Sequence, residues 1–201
     1  MEEETKTEKI LPGTSAISKG FRRDVIYFVI IIILAALCGQ FWYSYHYQPK
    51  ASRDITIFYN QDKQANVEIT RTIQDADQFV YFAIYTFTRE DIRDALLAAK
   101  YKGLDVRGLV DKRQSGSIES QKAIVKSLEA AGIPLAYNDH NYIMHLKTVV
   151  TDKAYVSGSY NWTAAATNLN DEIIEIGKDE DVRKQYEQII KSIIEKYSQL
   201  N

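Results

Sequence analysis

Residues 144–152 read Met-His-Leu-Lys-Thr-Val-Val-Thr-Asp, with the apolar, β-branched character of a buried strand. Side chains two apart on a strand share a face. His145 and Lys147 are therefore expected to project together, with Leu146, Thr148 and Val150 on the other side. An imidazole beside an ammonium on one rigid strand suits attack on a phosphodiester. The histidine serves as nucleophile or proton donor, and the lysine neutralises a non-bridging oxygen as charge shifts in the transition state. Asp152 has the opposite parity and falls at a turn, where a carboxylate is better placed to pin backbone than to touch substrate.

Two later segments bear on the same chemistry. Ser157-Gly158-Ser159-Tyr160-Asn161-Trp162 offers a glycine at which the backbone can approach a ligand. Ser159 and Asn161 supply donors near an expected helix N-terminus, where anions are favoured. Glu172, on the next strand, is placed to accept from an imidazole and fix its tautomer. A lone histidine or a Gly-Ser pair is usually structural, so the combination carries the weight.

The elements that must position these residues follow from periodicity and punctuation. Strands are expected at 55–59, 79–87, 104–110, 135–137, 144–151, 154–157 and 172–176. Helices are expected at 64–76, 89–102, 118–131 and 162–167, with a terminal helix from about Asp181. Thr88, with Asp91 three residues on, reads as an N-cap. Gly103 and Gly132 read as helix stops, and 114–117 as a polar loop. Alternating strands and helices imply an α/β sheet with helices on its faces.

Ahead of this domain, residues 25–43 (VIYFVIIIILAALCGQFWY) carry no charge. As a helix they would span roughly 28 Å, close to the ~30 Å hydrocarbon core of a bilayer. Arg22 and Arg23 precede the run, and Trp42, Tyr43, Tyr45 and Tyr47 follow as an interfacial belt. A cleaved signal peptide is the competing reading, but the run is long for one and no A-x-A-like site follows. The layout expected is a disordered tail at 1–24, a transmembrane anchor at 25–43, a linker at 44–53 and a catalytic domain at 54–201. Lys19, Arg22 and Arg23 against Lys50 and Arg53 favour a cytoplasmic N-terminus with the domain translocated.

The 201 residues carry 25 basic and 27 acidic side chains, a net charge of −2. No bulk basic field gathers nucleic acid, so affinity for phosphate must be local. Lys100, Lys102, Arg107, Lys112, Arg113 and Lys153 are the candidates for such a patch. One cysteine, Cys38, and three histidines, His46, His140 and His145, leave little for a disulfide framework or a metal site.

His145-x-Lys147-x4-Asp152 followed by Gly158-Ser159-x-Asn161 resembles the HKD motif of the phospholipase D superfamily. Residues 81–111 are similar to the first half of that fold, and Asn170-x-Glu172 to the Asn-x-Glu that follows the motif. The likeness covers the chain from Ile55 onward. Between Asp152 and Gly158 stand five residues, one fewer than is usual, which implies a tighter hairpin. The resemblance implies a phospholipase D-like mixed sheet with helices on both faces, behind one transmembrane helix. It implies a site of His145, Lys147, Asp152 and Glu172, with Lys147, Ser159 and Asn161 holding phosphate. It further implies hydrolysis through a phosphohistidine with neither cofactor nor metal.

In this superfamily two motifs meet around one phosphorus. The chain has one, so the resemblance implies a homodimer; His140, in a polar loop, is expected to be solvent-exposed. Small single-motif members resemble bacterial endonucleases, which makes a DNA- or RNA-cutting enzyme at a bacterial inner membrane, its domain outside the cytoplasm, the first expectation. The alternative is a phospholipid phosphodiesterase of the phospholipase D type. A silent membrane scaffold, and a mitochondrial outer-membrane homologue facing the cytosol, are the remaining readings.

Overall fold

The computed structural model describes residues 19–46 and 54–199, and these two stretches belong to separate compact units. Most of the expected tail (1–18) and linker (47–53) lies outside the described residues. The first unit is a single helix, α1 (Lys19–His46). Its apolar side chains face outward on every side, from Phe21 to Tyr45. Gly20–His46 is long and apolar enough to cross a membrane. The helix overruns the expected anchor at both ends, taking in 19–24 and 44–46. Once a helix is nucleated each added residue costs little, and no proline intervenes there.

The second unit opens with β1 (Ile55–Tyr59), α2 (Ala65–Gln74), β2 (Phe79–Ile84), α3 (Glu90–Tyr101) and β3 (Asp105–Val110). It continues with α4 (Lys112–Ser117), α5 (Glu119–Ala130), β4 (Leu135–Tyr137), β5 (Lys147–Thr151) and β6 (Tyr155–Gly158). It ends with α6 (Ala164–Asn168), β7 (Ile173–Gly177) and α7 (Glu180–Ser198). The strands form one mixed seven-stranded sheet in the order β1-β7-β6-β5-β2-β3-β4. β2, β3 and β4 run parallel, whereas β5, β6, β7 and β1 are joined antiparallel. Side-chain alternation divides the core in two. Val80, Phe82, Ile84, Val149, Val156 and Ile174 meet the apolar stripes of α2, α3 and α5 on one face. Tyr81, Ala83, Leu109, Val150 and Tyr155 meet Ile190 and Ile194 of α7 on the other. Helices thus cover both faces, as expected.

Three local expectations are corrected. The polar stretch 114–117 is helical, because the Asp111 carboxylate accepts from the backbone N–H groups of Arg113 and Gln114 and starts α4. Thr88 does not cap α3: Arg89 holds the cap position without a side-chain cap bond. Asp91 instead takes the Arg89 guanidinium at 2.6 Å and the Asn66 amide at 2.7 Å. The strand expected at 144–151 begins only at Lys147, since its partner β2 ends at Ile84, opposite Lys147.

The β5–β6 connection is a tight turn. Thr151 N–H donates to the Ala154 carbonyl, and the Thr151 hydroxyl accepts from the N–H groups of Lys153 and Ala154. Within it, Asp152 accepts from the N–H groups of Asp77 and Gln78, at 2.9 and 3.1 Å, and so ties the turn to the start of β2. Burial works to raise this carboxyl, but those donors prevail and hold it below the usual aspartate range. Its contribution to stability is therefore present at neutral pH and is lost as pH falls through the lowered native value. Asp152→Ala is expected to cost about 1–2 kcal/mol, measured as a shifted urea midpoint of the full chain in detergent. The difference from the parent should shrink in acid.

Candidate active site

The site lies where the sheet's strands end. β1, β2, β3, β4 and β6 finish at one edge, and β5 and β7 begin there, a consequence of the strand directions. Beyond the β2–β5 pairing one further bond forms, from Tyr85 N–H to the Leu146 carbonyl at 2.9 Å. On the other side, Met144 N–H donates to the Asp111 carboxylate at 2.8 Å. These two tethers hold the residues entering β5.

His145 lies between the tethers and ahead of β5, so it does not share a strand face with Lys147 as expected; the two side chains meet instead at Tyr85. The exposed His145 ring meets the Tyr85 ring edge-on, centroids 4.8 Å apart. Lys147 is 6% exposed. Its Nζ donates to the His145 carbonyl at 3.0 Å and lies 5.3 Å from the centre of the Tyr85 ring, so one aromatic platform receives both. Burial pushes the Lys147 ammonium below the ordinary lysine range, against the Glu172 carboxylate, which works to keep it charged.

Glu172 is buried and accepts from the Ser159 hydroxyl and from the Asn170 amide. Within one chain it does not take the His145 imidazole as expected. Ser159 Oγ also accepts from Ile173 N–H at 3.1 Å. Its only hydroxyl proton is given to Glu172, so Ser159 braces a carboxylate more than it offers a free donor. Gly158 has a different reason from the one expected. A side chain there would overlap the Ile173 backbone, so the glycine admits β7 and not a ligand. The helix after this segment begins at Ala164 and is capped by the Thr163 hydroxyl, leaving Ser159 and Asn161 ahead of it.

Asn161 carries a buried amide oxygen with no partner. Its segment is knitted to the end of β2: Trp162 N–H donates to Thr86, and the Trp162 carbonyl accepts from Thr88 and Arg89 N–H. The Trp162 indole packs on Phe82 and Phe87.

The structure thus gathers His145, Lys147, Ser159, Asn161 and Glu172 at one edge, and leaves Asp152 at the opposite end of β5. Sequence reading gave no role to three residues at the site. Tyr85 is the platform, Gln114 donates to the Tyr85 hydroxyl at 3.1 Å, and the fully buried Asp111 joins α4 to the approach to His145. Asp111 had a legible signal, an aspartate directly after a strand and before a polar run, in the pattern of an N-cap.

Comparison with known proteins gives the family. Residues 69–194 match the family described as "Cardiolipin synthase, PLD-like domain", and the chain belongs to the phospholipase D-like superfamily. It is 29% identical over 123 residues to a mitochondrial cardiolipin hydrolase of Xenopus tropicalis, covering 61% of this chain and 57% of that one. It is 30% identical over 119 residues to a phospholipase D of Rickettsia conorii, covering 59% and 58%. The chain therefore spans a little under three-fifths of these relatives. Among solved structures, Nuc, a phospholipase D family member from Salmonella typhimurium, superposes with a TM-score of 0.63 at 28% identity, covering 69% of this chain and 91% of Nuc. NucT from Helicobacter pylori shares the fold, with a TM-score of 0.64 at 21% identity, covering 70% and 95%.

The charge on Lys147 gives a pH test. If its ammonium faces the phosphate, kcat/KM falls as pH rises through its lowered value, earlier than an ordinary lysine would titrate. Glu172→Gln removes the group that keeps the ammonium charged and is expected to move that alkaline limb lower still. A limb that stays in place in Glu172→Gln would contradict the assignment.

Proposed function

We propose that this protein is a membrane-tethered phosphodiester hydrolase that cuts DNA or RNA in a homodimeric site, through a phosphohistidine and without a metal. The observation that carries the reading is the exposed His145 imidazole on Tyr85 with the buried Lys147 ammonium beside it. An imidazole nitrogen of one copy attacks phosphorus as the bond to the leaving oxygen breaks, and the partner's His145 protonates that oxygen. Water then attacks the phosphohistidine while the partner's imidazole takes its proton, and the first imidazole is regenerated. Lys147 balances the charge on the non-bridging oxygens. Glu172, braced by Ser159 and Asn170, keeps that lysine charged, and the Asn161 amide supplies a further contact to phosphate.

Support for a dimer is chemical and topographic. Among the described residues one chain offers a single His–Lys pair, and His140 is exposed against Tyr142 and Tyr197. Tyr142, Ile143, Leu146, Leu169 and Ile173 are exposed on the segments that enter or leave the site, a surface that a second copy would cover. The nuclease reading draws on the resemblance to small single-motif bacterial endonucleases. Of the six basic residues considered from sequence, Lys112 and Arg113 follow directly on Asp111 at the site edge. Arg107 is paired with Asp105 and Lys153 with Asp77.

The same apolar rim, the apolar α1 and the phospholipase names of the relatives favour a second reading, a phospholipid phosphodiesterase. In either case α1 would tether the domain to a membrane, taken with the endonuclease resemblance as a bacterial inner membrane, and Lys19, Arg22 and Arg23 in its first turns favour placing the domain outside the cytoplasm. The deciding experiment incubates the full chain in detergent and EDTA with single-stranded DNA, RNA and phospholipid in parallel. Cleavage of nucleic acid that drops about a thousandfold or more in His145→Ala is expected. Turnover of phospholipid alone would establish the second reading instead.

A further inference from the structure

Outside the site, a cleft of about 360 Å³ opens between α4 and α5. Lys112, Lys122 and Lys126 stand around it, with Val125, Tyr137 and Glu129 completing the walls. Glu129 accepts the Tyr137 hydroxyl at 2.6 Å, which fixes the ring in the wall. Among the described residues, Lys112 and Lys126 have no carboxylate within ion-pair distance. Lys122 reaches only the exposed Glu119, at 3.5 Å, a pairing worth little in water. Three ammonium groups therefore face one lining carboxylate, beside an apolar wall of Val125 and an aromatic ring.

The cleft is tied to the catalytic edge by α4. That helix begins on Asp111, whose carboxylate holds the backbone beside His145. Its Gln114 holds Tyr85, and its Lys112, Ser115 and Gly116 line the cleft. Six residues of helix are roughly 9 Å long, so one extended chain bearing a phosphate at every unit can occupy both places. A single-phosphate lipid headgroup at His145 cannot. Ammonium groups for phosphate, with an aromatic face for a base, are what single-stranded nucleic acid requires.

We propose that the α4–α5 cleft is a second phosphate subsite, holding a single nucleic-acid strand whose scissile phosphate lies at His145 and Lys147. The proposal rests on the nuclease reading and deepens it, but binding tests it separately from turnover. The full chain in detergent micelles, carrying His145→Ala, is titrated with a fluorescein-labelled single-stranded oligodeoxythymidylate at several salt concentrations. Adding Lys122→Gln and Lys126→Gln removes two ammonium groups while keeping residues of good helix propensity. The affinity is expected to fall about tenfold, and the slope of log affinity against log salt to shrink by about 1.4.

Lys178→Gln, beyond the far end of β7, controls for bulk charge. An affinity and slope that do not change, a loss no larger than the control's, or no oligonucleotide binding by the His145→Ala parent would each overturn the subsite. So would loss of binding to phosphatidylglycerol vesicles with the oligonucleotide unaffected, which would make the cleft a headgroup site. If oligonucleotide binding responds as expected while the chain with His145 intact cleaves only phospholipid, the nuclease reading fails, and with it the scissile phosphate at His145, while strand binding at the cleft stands.

Discussion

The site depends on how β5 is entered. The Tyr85 N–H bond to the Leu146 carbonyl and the Asp111 carboxylate bond to Met144 N–H grip two backbone positions on either side of His145. With the backbone fixed there, the Lys147 side chain turns into the sheet edge and the His145 ring stays in solvent, both against Tyr85. Buried backbone groups are costly to leave unpaired, so the tethers are part of the fold and not accessories to the chemistry. The geometry of the candidate site inherits the rigidity of the sheet.

A second layer of support comes from β7 and the segment after β6. Glu172 stands just before β7 and acts on Lys147 through its charge. Ser159 holds Glu172 with its proton while accepting the first N–H of β7. Gly158 lets β6 lie against the Ile173 backbone, which sets where Ser159 falls. Trp162, packed on Phe82 and Phe87, ties this segment to the loop carrying Tyr85. The two halves of the site thus share one apolar anchor, and a displacement of either half reaches the other through it.

The electrostatics are local. A chain of net charge −2 has no general attraction for polyanions, and several of its basic residues are committed to pairs, such as Arg107 with Asp105 and Lys153 with Asp77. The candidate site keeps the buried Lys147 ammonium, with Lys112 and Arg113 at the start of α4 on its edge, while Lys122 and Lys126 border the α4–α5 cleft. The apolar side chains exposed around the same edge call for a covering surface, protein or lipid.

The sequence by itself determined the alternation of strands and helices, the outward-facing apolar N-terminal helix and the turn at Asp152, and it singled out His145 and Lys147 by residue type. The first three are written in local spacing: apolar periodicity, an uncharged run at 25–43, an aspartate at a parity break. Tertiary structure alone decided that Tyr85 would be the common platform and that Asp111 would reach Met144, 33 residues away. It also decided that Ser159 would spend its proton on Glu172, and that Gly158 would make room for a strand. Those roles are set by register between strands distant in sequence and by which lone pair meets which donor. Neither leaves a periodic trace in one chain's order of residues.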